Sequence, residues 1–166
     1  LRRANTDLER EMGERQQAVA ALRASEERFR AITESANDAI ISADSSGDIV
    51  SWNARAEAIF GYTAEEILGT PFTRLMPTRH HLAHLERFRQ WSTSGSSRLV
   101  GTTVEFSGVR KDGSEFPLEI SLSTWSTAHD NYVTGIIRDL TAQKQLQETT
   151  RQQELQLIQA NKMTAL

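Results

Sequence analysis

The 166-residue chain is 38% hydrophobic, has no cysteine and carries a formal net charge of -3, so it can build one ordinary core with chain left over, and disulfides, thiolate metal sites and cysteine nucleophiles are excluded. Its acidic and basic residues are mixed, which leaves no basic field for nucleic acid. No apolar run approaches the ~20 residues that span a bilayer, and the opening LRRANTDLER lacks a signal-peptide core, so a cytoplasmic protein without membrane contact is expected. The first residue is not Met and the last is Leu166, which reads as a piece of a longer protein.

The first segment, residues 1–24, predicts a coiled-coil helix. Leu1, Leu8, Arg15, Leu22 and Phe29 recur every seven residues, with Asn5, Met12, Val19 and Glu26 interleaved. Charged residues and Gln surround this seam, which suits a parallel homodimer, although Asn5, Arg15 and Glu26 weaken it. A single solvated helix is the alternative, and it would leave the apolar stripe uncovered.

From Ala39 the pattern changes to strands: AIISAD, a turn at Ser45–Asp48, then IVSWN. ARAEAIF predicts a short helix and TAEEILG a second one, with Thr63 and Glu66 as a capping box and Gly69 at its C-terminal end. A longer helix is expected over Thr78 to Trp91, then a Ser/Gly-rich loop STSGSS. Two long strands meet at Lys111-Asp112-Gly113. In the second, Phe116, Leu118, Ile120 and Leu122 alternate with Glu119, Ser121 and Ser123, giving one buried and one polar face. After a turn at Ala128–Asn131, YVTGIIRDL makes the last strand, and residues 141–166 form a Gln-rich helix, also read as dimeric. The order is that of an α+β domain, an antiparallel sheet with helices on one face, between two helical extensions.

Three of the four histidines fall in RHHLAHLERFR. At 100° per residue Leu82, Leu85, Phe88 and Trp91 project as an apolar stripe with His81 at its middle, so His81 is expected to face the core, where a neutral imidazole needs a hydrogen-bond acceptor or a metal. His80 and His84 fall to one side, where a solvated face outweighs a zinc pair lacking a third ligand, and His129 sits in a turn. Glu65 and Glu66 begin a helix, Asp112 is explained by its turn, and Glu34, Asp38 and Asp44 read as turn or surface residues. No phosphate loop or Gly-x-Ser-x-Gly elbow is present, so no catalytic residue is assigned and no enzyme activity is expected of these residues.

GDIVSWNARAEAIFGYTAEEILG, VRKDGSEFPLEISLS and GIIRDLTAQKQ, in this order and spacing, resemble a bacterial PAS sensor domain over roughly Ser25 to Gln145. The resemblance implies a PAS fold over 25–140, a five-stranded antiparallel sheet with short helices on one face. In RDLT, Asp139 and Thr141 match the signalling Asp-Ile-Thr motif of sensor kinases, with Leu140 in place of Ile, and QANKMTAL resembles the stretch before a phosphoacceptor helix. The function implied is a sensory and relay domain of a two-component histidine kinase, acting on a downstream kinase domain and response regulator. A chemotaxis receptor or a diguanylate cyclase could carry the same domain.

Arg79, His81, Arg87 and Phe88 are spaced similarly to the haem helix of rhizobial oxygen-sensing kinases. This resemblance implies a haem gas sensor as an alternative, with His81 as iron ligand and Arg87, Val104, Ile120 and Leu122 around the cofactor. The chain departs from that pattern at Val104, where those sensors carry arginine, at Thr102, where relatives carry methionine, and in a longer loop after the helix. Flavin is the weaker cofactor expectation. Without cysteine no adduct can form, and Trp52 and Asn53 match a common packing pattern. A small apolar or organic-acid ligand, or a ligand-free dimerisation module, stays open, and the cofactor is unknown.

Overall fold

The structure, a computed structural model, describes residues 1–94 and 99–165. Residues 95–98, within or beside the expected Ser/Gly-rich loop, and Leu166 lie outside the described residues; Ser92–Ser94 belong to a helix. The chain divides into two compact units, 1–36 and 37–166.

The first unit is one helix, α1 (Arg2–Glu34), which runs ten residues past the boundary expected after Ala24. Nothing between Ala24 and Glu34 breaks it, because SEERFRAITE contains neither glycine nor proline. None of its residues is buried: Leu8, Met12, Val19, Leu22 and Phe29 are all exposed along the predicted seam, and Ile32 beyond it is exposed as well.

The second unit holds β1 (Ala39–Asp44), β2 (Ile49–Trp52), α2 (Ala54–Phe60), α3 (Ala64–Ile67), two 3₁₀ turns (Phe72–Leu75 and Thr78–His80), α4 (His81–Ser94), β3 (Thr103–Val109), β4 (Glu115–Ser126), β5 (Asn131–Asp139) and α5 (Thr141–Thr164). The sheet is antiparallel in the order β2-β1-β5-β4-β3, so the last strand lies at its centre. The β1–β2 turn forms because Asp44 Oδ1 accepts from the amides of Ser46 (3.0 Å) and Asp48 (3.1 Å), while Gly47 takes φ +88°. A side chain at Gly47 would also press on Phe72, 3.2 Å from its Cβ position.

Local signals of the sequence act as expected around α2 and α3. Asn53 caps α2 through its Oδ1, which accepts from the amides of Ala56 (3.0 Å) and Ile40 (3.0 Å), tying helix to strand. The capping box of α3 is complete, with Thr63 Oγ1 accepting from the Glu66 amide and the Glu66 carboxylate accepting from the Thr63 amide. These two helices close one half of the core: Ile49, Phe60 and Ile67 are fully buried, Phe60 meets Phe116 edge-on at 5.4 Å, and Trp52 Nε1 donates to the Tyr62 carbonyl at 3.0 Å.

Candidate functional site

The other half of the core is not filled. Under α4 lies a hollow of about 180 Å³ walled by Phe60, Phe72, Leu75, Phe88, Trp91, Phe106 and aliphatic residues of the sheet. Ile41 and Ala43 of β1, Leu118, Ile120 and Leu122 of β4, and Val133, Gly135 and Ile137 of β5 form its floor. Gly135 keeps that floor low: a Cβ there would stand 3.1 Å from Ile120 Cδ1. The wall is interrupted by His80, His84, Arg87, Ser107 and Thr124.

The histidines are arranged otherwise than the projection of α4 predicted. His81 does not line the hollow; its Nε2 lies 2.9 Å from the Met76 carbonyl oxygen, which satisfies the imidazole through the turn before the helix. His80 and His84 line the hollow instead of forming a solvated face. The stripe of leucines misled because Leu82 and Leu85 are exposed (84% and 47%), whereas Trp91 is buried and packs on Phe88 (5.1 Å), which packs on Phe72 (5.0 Å). Aromatic area, not the count of leucines, sets which side of α4 faces the sheet. That choice carries positions 80, 84, 87, 88 and 91 inward at 100° per residue.

His84 is half-buried with its ring edge-on to Phe106 at 5.2 Å. Burial pushes its pKa down, and neighbouring Arg87, His80 and His81 push the same way, which favours the neutral imidazole. Of the other expected pocket residues, Arg87, Ile120 and Leu122 line the hollow. Val104, opposite Ile120 in the ladder and half-buried, does not, and Thr102 is exposed. Trp52 and Asn53 are packed into the closed half of the core, away from the hollow. His129 is exposed in its turn, and Asp112 binds the Ser114 amide (2.9 Å) and hydroxyl (2.6 Å).

The exit from the sheet is a second built feature. Asp139 Oδ1 accepts from the amide of Thr141 (2.9 Å) and from its hydroxyl, and Asp139 Oδ2 accepts from Arg110 Nη2 at 2.7 Å. Arg110 also donates to the Ile59 carbonyl and lies over the Phe116 ring, 3.9 Å from its centroid. Lys144, in the first turn of α5, reaches Glu105 of β3 at 2.7 Å. Burial raises the Asp139 pKa, but the hydrogen bonds from Thr141 and Arg110 outweigh it and hold the carboxyl below its ordinary value. Asp139 and Thr141, which the sequence reading named, are hydrogen-bonded to each other here; Arg110, which joins them, was not named, because its partners lie 29 and 51 positions away and leave no local signal.

The profile of the PAS fold matches residues 27–140, more than half of the chain. The chain belongs to the PAS family. It is similar to "Sensor protein FixL" of Bradyrhizobium diazoefficiens, 28% identical over 156 residues, covering 94% of this chain and 31% of that protein. It is also similar to "Sensor histidine kinase TmoS" of Ectopseudomonas mendocina, 29% identical over 153 residues, covering 91% of this chain and 15% of that protein. Among solved structures, the PAS domain of an HTR-like protein from Haloarcula marismortui superposes with a TM-score of 0.57 at 26% identity, covering 75% of this chain and 98% of that one. The chain thus spans less than a third of the length of these curated relatives, and is a PAS sensor domain related to sensor histidine kinases.

The PAS hollow as arranged does not fit a haem with His81 as its iron ligand. The His81 ring is engaged by the Met76 carbonyl and lies outside the lining, and about 180 Å³ is near the ~150 Å³ of a cavity that takes benzene and below the ~300 Å³ of ordinary ligand pockets. Among the described residues no group of three or more metal-ligating side chains is assembled, at His80 and His84 or elsewhere.

Proposed function

We propose that this PAS domain is the sensory and relay module of a cytoplasmic two-component sensor histidine kinase, and that it drives a downstream kinase domain, and through it a response regulator, by moving α5. One observation carries the reading: β5 contributes Val133, Gly135 and Ile137 to the floor of the hollow and ends at Asp139, the residue that holds the start of α5. A change in what fills the hollow therefore acts on the same strand that sets the exit helix, and a two-state repacking of that helix would be biased from the core. The exposed apolar residues of α1 and of α5, Leu146, Leu155, Leu157 and Ile158, support a homodimer through both helices.

The test needs no known signal. In the full-length protein, Gly135→Val fills the floor of the hollow and is expected to shift autophosphorylation several-fold. Asp139→Ala is expected to abolish most of that shift, so that the two substitutions are strongly non-additive. Independent, additive effects would refute the coupling. A haem reading would displace this one if haemin gave the purified chain a Soret band that His81→Ala removes.

A further inference from the structure

Within the sensor reading just given, and resting on it, the chemistry around the hollow narrows what it holds. We propose that the hollow takes a small monocarboxylate with an aromatic or alicyclic ring, the ring seated among Phe60, Leu118 and Ile120 and the carboxylate held at the mouth by Arg87 and His84.

The interior is apolar and about 180 Å³ in volume, slightly larger than a cavity that accommodates benzene. Among the described residues that line this interior, the nitrogen-bearing side chains gather on one side: the His80 and His84 imidazoles and the Arg87 guanidinium stand at successive turns on one face of the helix and its preceding 3₁₀ turn. Among the described residues no carboxylate pairs with His84 or Arg87. The neighbouring acids are committed elsewhere, Glu115 beside His80 to Arg79 through two hydrogen bonds of 2.6 and 2.7 Å, and Glu86 to Gln90 at 3.3 Å.

A neutral hydrocarbon would leave these groups as they are. A carboxylate would accept from the guanidinium in the bidentate geometry that arginine favours, and from the His84 ring once protonated. Arg87 is exposed, so the charged head stays at the wet mouth while only the ring is desolvated, which avoids the cost of burying an unpaired anion.

The experiment is a calorimetric titration of the 166-residue chain with benzoate, with benzene and acetate as comparison probes. Benzoate is expected to bind at least tenfold more tightly than acetate, and Arg87→Gln to weaken benzoate at least tenfold while leaving benzene affinity and the melting temperature unchanged. By NMR, the His84 pKa is expected to rise when benzoate binds. Benzene binding without benzoate binding, equal affinity for acetate and benzoate, unchanged benzoate affinity in Arg87→Gln, or no binding of any probe to the folded chain would each overturn the assignment. Each of those failures leaves the Gly135–Asp139 coupling test standing, so the ligand class and the relay can fail separately.

Discussion

The two halves of the PAS core are built on different terms. Beneath α2 and α3 the packing is closed: Phe60 is 1% exposed and Ile49 and Ile67 are fully buried, and Arg110 extends this half to the exit by bridging the Ile59 carbonyl, Phe116 and Asp139. Beneath α4 the same sheet faces an opening edged by imidazole and guanidinium. Close-packed interiors transmit strain, whereas an unfilled site is free to take a guest, so the difference assigns stiffness to the half that holds the start of α5 and compliance to the half that meets the hollow. β5 belongs to both.

The largest effect should expose that asymmetry directly. Phe60→Ala removes a fully buried ring packed on Trp52 and Phe116 and is expected to cost about 3–5 kcal/mol, while Phe88→Ala removes a half-buried ring from the wall of the hollow and should cost about 1–2 kcal/mol. Chemical denaturation of both variants checks this, and equal losses would break the comparison.

The exit joint comes next. Asp139→Ala should cost about 1.5–3 kcal/mol at pH 7, since it removes charge-assisted hydrogen bonds to Arg110 and Thr141. The folded pKa of Asp139 is lowered, so its stabilisation is present above the unfolded pKa and is lost as pH falls through the folded value. The gap between wild type and variant should therefore be constant near neutrality and shrink below about pH 4, read from urea midpoints across pH. A gap that widened with acid would contradict the geometry of the joint.

Two glycines sharpen the contrast within one sheet. A Cβ at Gly108 would lie 2.7 Å from Phe116 Cε1, in the closed half, and 2.6 Å from Leu118 Cδ2, which borders both halves, so Gly108→Ala overpacks the sheet there, with an expected cost of about 1–3 kcal/mol. At Gly135 the nearest atom is 3.1 Å away at the tip of Ile120, beside the hollow, and Gly135→Ala should stay within about 1 kcal/mol of wild type. Melting curves of the pair decide whether the sheet is tight on one side only.

These contrasts also mark where the sequence was informative. Turn chemistry at Ser45–Asp48 and Lys111–Gly113, the alternation of Phe116 to Leu122, and the Thr63–Glu66 box are local patterns, and each element they predicted is present. The site was less legible, because the orientation of α4 follows from Phe88 and Trp91 packing together and onto Phe72, a partner outside the helix. Leucine spacing therefore placed His81 inward, and aromatic packing brought His80, His84 and Arg87 there instead. Arg110 escaped for the same reason: its role is set by strands that become neighbours only after folding.

The smallest effect tests whether the closed half depends on its cap. Thr63→Ala should cost about 0.5–1 kcal/mol, because the hydroxyl accepts from the Glu66 amide at an exposed helix start. Its reach is set by what α3 seals: Ile67 is fully buried, and the amides of Ile67 and Leu68 donate to the carbonyls of Thr63 and Ala64. Fraying from the cap should thus raise hydrogen exchange at those two amides and leave Ile120, on the floor of the hollow, unchanged. If exchange rose equally at Ile120, the loss would be spreading through the sheet, and the two halves would have to be treated as one cooperative unit whose opening under α4 is held by the same contacts that close it under α3.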